Sequence, residues 1–153
     1  MSTRQPNFEK RGGLIVVIVQ DCKTLEVLMQ AYANLEAWQK TLQTREVWLW
    51  STRRNELWPK GATSGNTMTV KEIKLDCDGD SALLLVDLPD GKSACHTGAK
   101  SCFSAVVCPK CGRQLVEGTL GDVVATGVHQ QADASQPIWR CPDKGCTFYE
   151  YAV

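Results

Sequence analysis

Excess charge of either sign is missing from this chain: 17 basic residues balance 17 acidic ones over 153 positions, so the formal charge is zero. No global field therefore draws in nucleic acid or an anionic membrane, and no strong basic stripe adjoins a motif suited to a nucleic-acid finger. Long apolar runs are missing too. The stretch at residues 14–19 falls far short of the roughly 20 residues needed to cross a bilayer. The first ten residues include Arg4, Glu9 and Lys10 and hold nothing like the apolar segment of a secretion signal. No sustained internal repeat occurs. These absences lead to the expectation of a cytoplasmic protein with no membrane and no nucleic-acid partner.

Cysteine, by contrast, is abundant, with eight in the chain. Outside the cell an even number would suit disulfides, but the spacing here has another character. Cys108 and Cys111 form one close pair, Cys141 and Cys146 another, and Cys95 and Cys102 flank His96. That distribution suits metal ligation, and the lack of an export signal favours it. Cys22 stands apart and reads as a small buried apolar residue.

With 43% apolar or aromatic content, the chain can bury one modest core with a small metal-supported appendage. Residues 14–19, β-branched and apolar throughout, read as a central strand after Gly12-Gly13. Residues 25–42 read as a helical region, in one or two pieces, with Asn34 able to cap the second. Leu35, Trp38 and Leu42 then face the core, and Met29 and Tyr32 belong to packing. Residues 47–50 form a short strand. Residues 70–77 form another, with Ile73, Leu75 and Cys77 on one face and Glu72, Lys74 and Asp76 on the other. Asp78-Gly79-Asp80 turns the chain into a strand at residues 82–86. The expected fold is α+β, a compact layer of sheet and helices.

After Val107 the pattern changes. Two cysteine pairs bracket short apolar segments at Val123-Val124 and Ile138-Trp139, as in a small zinc ribbon whose turns bring four thiolates together. The expected organisation is a main domain over residues 1–107 and a zinc-ribbon-like extension over residues 108–153. Cys108, Cys111, Cys141 and Cys146 are its candidate ligands, and four thiolates make a closed structural site rather than a hydrolytic one.

The chemistry-bearing residues lie earlier. Asp76, Asp78 and Asp80 crowd three carboxylates around one turn, which suits Mg²⁺ or an ordinary acidic hairpin turn equally. Cys77 between them would suit zinc instead. Cys95 and Cys102 add two thiols; three thiolates with an open position make a catalytic zinc site. His96 could be a ligand, a core residue or a general base. Residues 61–67 hold too many turn formers for a regular element and can present hydroxyls and amides to phosphate, or simply connect two strands. Arg53 and Arg54 could meet phosphate or line a solvated edge, and Trp58 could pack beside a ligand or in the core.

Taken together, the segments from Phe8 to Phe103 resemble the phosphoribosyl-AMP cyclohydrolase family. The resemblance rests on Gly13-Leu14-Ile15, Ile18-Val19-Gln20-Asp21, Glu26-Val27-Leu28-Met29, Ala31-Tyr32, Leu57-Trp58 with Lys60-Gly61, Thr63-Ser64-Gly65, Asp76-Cys77-Asp78 with Asp80, Ala94-Cys95-His96-Thr97-Gly98 and Ser101-Cys102-Phe103. It implies a cytoplasmic homodimer with active sites shared between two chains. Zinc would be held by Cys77, Cys95 and Cys102, Mg²⁺ by Asp76, Asp78 and Asp80, and protons would be moved by His96. The implied reaction, a step of histidine biosynthesis, opens the N1–C6 bond of a phosphoribosylated adenine nucleotide. Arg53, Arg54, Lys60, Thr63, Ser64 and Gly65 would meet its phosphates.

Four positions depart from the family pattern: Thr52 stands in place of arginine, Arg53 in place of serine, Ala62 in place of glutamate, and Met68 in place of glutamine. Lost hydrogen-bonding groups can alter how a substrate sits. A paralogous hydrolase or deaminase of another modified purine nucleotide, and a non-catalytic zinc-binding regulatory protein, are the competing functions.

Overall fold

The computed structural model describes residues 5–120, 122, 134–143 and 145–152. The chain divides into two compact units, Met1–Ser104 and Ala105–Val153.

The first unit is a six-stranded sheet carrying one α-helix among the described residues. Its strands are β1 (Ile15–Asp21), β2 (Val27–Ala33), β3 (Trp48–Ser51), β4 (Glu56–Pro59), β5 (Thr69–Leu75) and β6 (Ser81–Asp87), in the spatial order β4-β3-β2-β1-β6-β5. β1 runs parallel to β6 and antiparallel to β2, so the β-branched run does form a central strand. The α+β expectation holds. The strand's burial alternates, with Ile15, Val17 and Val19 fully inside. They pack with Leu28, Leu49, Leu84 and Val86 into the main core.

The helical expectation for residues 25–42 fails in its first half. Residues 27–33 are β2, hydrogen-bonded between β1 and β3. The good helix formers Leu28, Met29 and Ala31 are overruled because pairing with a buried neighbour on each side outweighs a local preference of a few tenths of a kcal/mol per residue. A tight turn at residues 21–26 prepares the return: the Leu25 amide donates to the Asp21 carbonyl at 2.9 Å, and Leu25 takes φ 60°. In a strand, positions three apart face opposite ways. Met29 therefore enters the core while Tyr32 emerges, 37% exposed, against the expectation that both would be packing residues.

The helix α1 spans Leu35–Thr44, and Asn34 caps it as expected, its side-chain oxygen accepting the Ala37 amide at 2.8 Å. Its buried face is Ala37, Trp38 and Thr41; Leu35 and Leu42 are exposed. The apolar stripe is thus rotated from the expected one. Thr41 explains the rotation, since its hydroxyl accepts the Trp48 amide at 3.0 Å and donates to the Trp48 carbonyl at 3.3 Å. A polar residue docks the helix where the leucines were expected.

β5 ends at Leu75, with Ile73 and Leu75 packed on the core and Glu72 and Lys74 outside. Cys77 lies beyond the strand and is exposed, so the alternation does not carry it inward. Cys22 is half-buried rather than fully enclosed.

The second unit contains a three-stranded antiparallel sheet, β7 (Val116–Thr119), β8 (Pro137–Arg140) and β9 (Tyr149–Tyr151), with β8 in the middle. The expected apolar segment at Val123-Val124 lies outside the described residues, whereas Ile138-Trp139 falls on β8, Ile138 being buried. Among the described residues no helix is long and apolar enough to cross a membrane.

Candidate active site and metal centres

The second unit brings its four cysteines together. Cys108 and Cys111 sit on a turn closed by the Gly112 amide on the Cys108 carbonyl at 2.8 Å, with Gly112 at φ 73°. Four residues separate Cys141 from Cys146, two more than separate Cys108 from Cys111, and Asp143 absorbs the difference. Its carbonyl accepts the Cys146 amide at 2.9 Å and its carboxylate accepts the Gly145 amide at 3.0 Å. The Cys108 and Cys146 sulfurs are 3.6 Å apart and those of Cys111 and Cys141 3.5 Å, with all four within 4.8 Å of one another. A tetrahedron of sulfurs about 2.3 Å from zinc has edges of about 3.8 Å, so the donor set and spacing fit zinc. Burial pushes the Cys141 thiol up. Burial also opposes ionisation of Cys108, but the Lys110 and Cys111 amides outweigh it and lower that thiol.

In the first unit, Cys95 and Cys102 come together on a loop held against β2. The Cys102 amide donates to the Leu28 carbonyl at 2.8 Å, and the buried Ser101 hydroxyl donates to the Val27 carbonyl at 2.7 Å. The two thiols are close enough to affect each other's ionisation. The Thr97 hydroxyl, donating to the Cys95 sulfur at 3.0 Å, is the main cause that holds the Cys95 thiol below the ordinary range; Lys60 assists. Burial, and then Cys95, push Cys102 up.

A cleft of about 470 Å³ is lined by Cys95, His96 and Cys102 on one wall and by Lys60, Thr63 and Ser64 on another. A second cleft of about 840 Å³ is lined by Tyr32, Trp50, Thr52 and Arg53. Arg54, Trp58 and His96 belong to both, so the two adjoin at the imidazole. His96 is exposed, which excludes a core role, and its Nδ1 lies 4.0 Å from the Cys95 sulfur. Gly65 lines neither cleft; its amide closes the loop on the Gly61 carbonyl at 2.8 Å. Of the four departing positions, Thr52, Arg53 and Ala62 line the clefts, but Met68 is buried in the core and touches neither.

Sequence reasoning missed Tyr32 and Trp50 as cleft residues. Their cross-strand pairing between β2 and β3 was the signal, and it was hidden by the helical reading of residues 25–42.

Cys77 does not join Cys95 and Cys102: among the described residues they form no group of three mutually close ligands within one chain. Asp76, Asp78 and Asp80 do converge, with one oxygen from each within 4.8 Å of the others. Cations of the chain itself already meet them. The Lys10 ammonium contacts Asp78 and lies 2.8 Å from Asp80, and Arg11 lies 3.1 Å from the buried Asp80. Lys10 is the main cause that lowers the Asp80 carboxyl to about 2.

The family model described as phosphoribosyl-AMP cyclohydrolase matches residues 29–104. Among similar curated proteins, the phosphoribosyl-AMP cyclohydrolase of Desulfatibacillum aliphaticivorans is 54% identical over 101 residues, covering 66% of this chain and 80% of that protein. That of Streptococcus mutans is 56% identical over 97 residues, covering 63% and 87%, and that of Clostridium beijerinckii 54% identical over 99 residues, covering 65% and 89%. Residues 29–104, which the family model matches, lie in the clefted first unit, and by these likenesses the chain belongs to the phosphoribosyl-AMP cyclohydrolase family.

Proposed function

We propose that this chain hydrolyses phosphoribosyl-AMP at the N1–C6 bond, the ring-opening step of histidine biosynthesis. The observation that carries the reading is the cleft in which two thiols and an exposed imidazole face a lysine and a hydroxyl-bearing loop. Sulfur ligands suit zinc, and the opposite wall suits a phosphate.

In this reading Cys95 and Cys102 hold zinc with Cys77 of a second chain, so the working unit is a homodimer. The separation of Cys77 from the other two within one chain supports a ligand from outside. Zinc held by these thiolates would supply the Lewis acidity that lets a water lose a proton near neutral pH. His96 accepts that proton. The water oxygen adds to C6, which is electrophilic because N1 carries a ribosyl substituent; the N1–C6 bond breaks, and N1 leaves with the proton returned by His96. The oxygen ends as that of an imidazole carboxamide. Lys60, Thr63 and Ser64 grip one phosphate and Arg53 and Arg54 the other, while Gly65 shapes the loop. Asp76, Asp78 and Asp80 would take Mg²⁺ only by displacing Lys10 and Arg11. The four-cysteine unit holds a separate structural zinc.

The decisive experiment is conversion of phosphoribosyl-AMP to the carboxamide nucleotide by purified, metal-quantified protein; absence of turnover by the fully metallated dimer refutes the reading. Ala62 favours a second reading. It lines the cleft where the family pattern has glutamate, so a different modified purine nucleotide is the competitor, and a substrate panel measured as kcat/KM separates them. His96→Ala is expected to reduce kcat by roughly 10²- to 10⁴-fold with zinc content unchanged. A normal rate and pH profile would reject its proton-transfer role.

A further inference from the structure

Two walls of the smaller cleft come from loops far apart in sequence, and a single chain of hydrogen bonds ties them together. The loop at residues 61–66 carries Thr63 and Ser64 and is folded on itself. Gly61 takes φ 94°, and a Cβ there would lie 2.5 Å from the Asn66 backbone, so only glycine permits the closure. From the far end of this loop, the Asn66 side-chain amide donates to the Ser93 hydroxyl at 3.2 Å. Ser93 in turn donates to the Cys95 carbonyl at 3.3 Å. The direction is fixed by chemistry: a carbonyl only accepts, a hydroxyl has one proton to give, and its lone pair is left for the amide. The Cys95 carbonyl also accepts the Gly98 amide at 3.2 Å, so the relay ends on the turn that displays His96.

We infer that Asn66 and Ser93 are positioning residues that hold the phosphate-gripping loop and the Cys95-His96 loop at a fixed separation, so that anchoring the nucleotide phosphate sets its reacting ring against the thiol-bearing wall. The inference rests on the cyclohydrolase reading of the cleft. Neither side chain lines the cleft, so neither touches the substrate. Their effect passes through the backbone of Cys95. Loss of a single neutral hydrogen bond shifts the folding equilibrium only modestly, but misplacing a reacting group by about 1 Å can slow a reaction by roughly 10²-fold. The catalytic loss should therefore be out of proportion to the stability loss.

The test uses the full-length metallated protein. Ser93→Ala and Asn66→Ala are expected to lower kcat by roughly 10- to 100-fold with KM and zinc content little changed, because the loop at residues 61–66 keeps its own internal bonds. The double variant should be no slower than either single one, since both remove the same relay. Ser93→Thr, which keeps the hydroxyl, should restore the rate. A readout independent of turnover is amide hydrogen exchange with AMP as probe. AMP should slow exchange at the Cys95 and Gly98 amides of the native protein and leave them unaltered in Ser93→Ala. Unchanged kcat in the single variants, additive losses in the double variant, failure of Ser93→Thr to rescue, a rate loss that tracks zinc loss, or an AMP response that survives Ser93→Ala would each overturn the inference. Lack of phosphoribosyl-AMP turnover by the native protein would refute the assigned reaction instead, while the exchange response to AMP would still report on the relay.

Discussion

Replacing Cys95 or Cys102 by serine is expected to remove zinc from the cleft and lower kcat/KM by about three orders of magnitude, since the metal's contribution of several kcal/mol converts at about 1.4 kcal/mol per tenfold. Both thiols line the cleft, so loss of either leaves one sulfur of the two proposed ligands. Cys77→Ser should be equally damaging although Cys77 stands apart within its own chain. If the third ligand crosses between chains, mixing Cys77→Ser and Cys95→Ser proteins restores activity. Random pairing makes half of the dimers mixed, each with one intact site, for about one quarter of the native rate. Zinc analysis and rate measurement check both statements. A normal rate at full zinc content in Cys95→Ser would remove the thiolate site from the mechanism, and no recovery on mixing would place all three ligands on one chain.

The second large effect concerns the unit from Ala105 to Val153. Cys141→Ser, or chelation of the metal, is expected to unfold its three-stranded sheet while the sheet of the first unit stays protected. Cys108, Leu115 and Cys141 form its small buried cluster, helped by half-buried Trp139, Cys146 and Phe148, and Leu120 and Ile138 are its other buried apolar side chains among the described residues. At about 1.5–3 kcal/mol for each large apolar side chain, so few residues cannot offset the ordering of three strands. A structural zinc held by four thiolates supplies about 10 kcal/mol or more. Hydrogen exchange should show the amides of Val116–Thr119 and Pro137–Arg140 losing protection, with zinc content falling by one ion per chain. Full protection of these strands in the metal-free variant would show that packing alone sustains them.

Much of the site was legible before any coordinates, because metal ligands and turn formers are chemically specific residue types. Cys108, Cys111, Cys141 and Cys146 announced their convergence by spacing, and Asp76, Asp78 and Asp80 by density around one turn. Less legible were residues whose role depends on a neighbour far along the chain. Met68 departs from the family pattern beside a loop that lines the cleft, yet it is buried in the core. Asn66 and Ser93 meet across 27 positions, and nothing local signals that pairing.

Local chemistry and short ordered motifs were enough for a central strand over residues 14–19, observed as Ile15–Asp21, and for the Asn34 cap, the acidic turn, the four-cysteine cluster and the family. Tertiary structure alone decided that residues 27–33 are a strand, that Tyr32 and Trp50 line a cleft, that Thr41 rather than Leu35 or Leu42 docks the helix, and that Lys10 and Arg11 neutralise the aspartates. Local propensities differ by tenths of a kcal/mol, whereas pairing on both edges of a strand and burial of its face are worth several times more, and those terms exist only once distant segments have met.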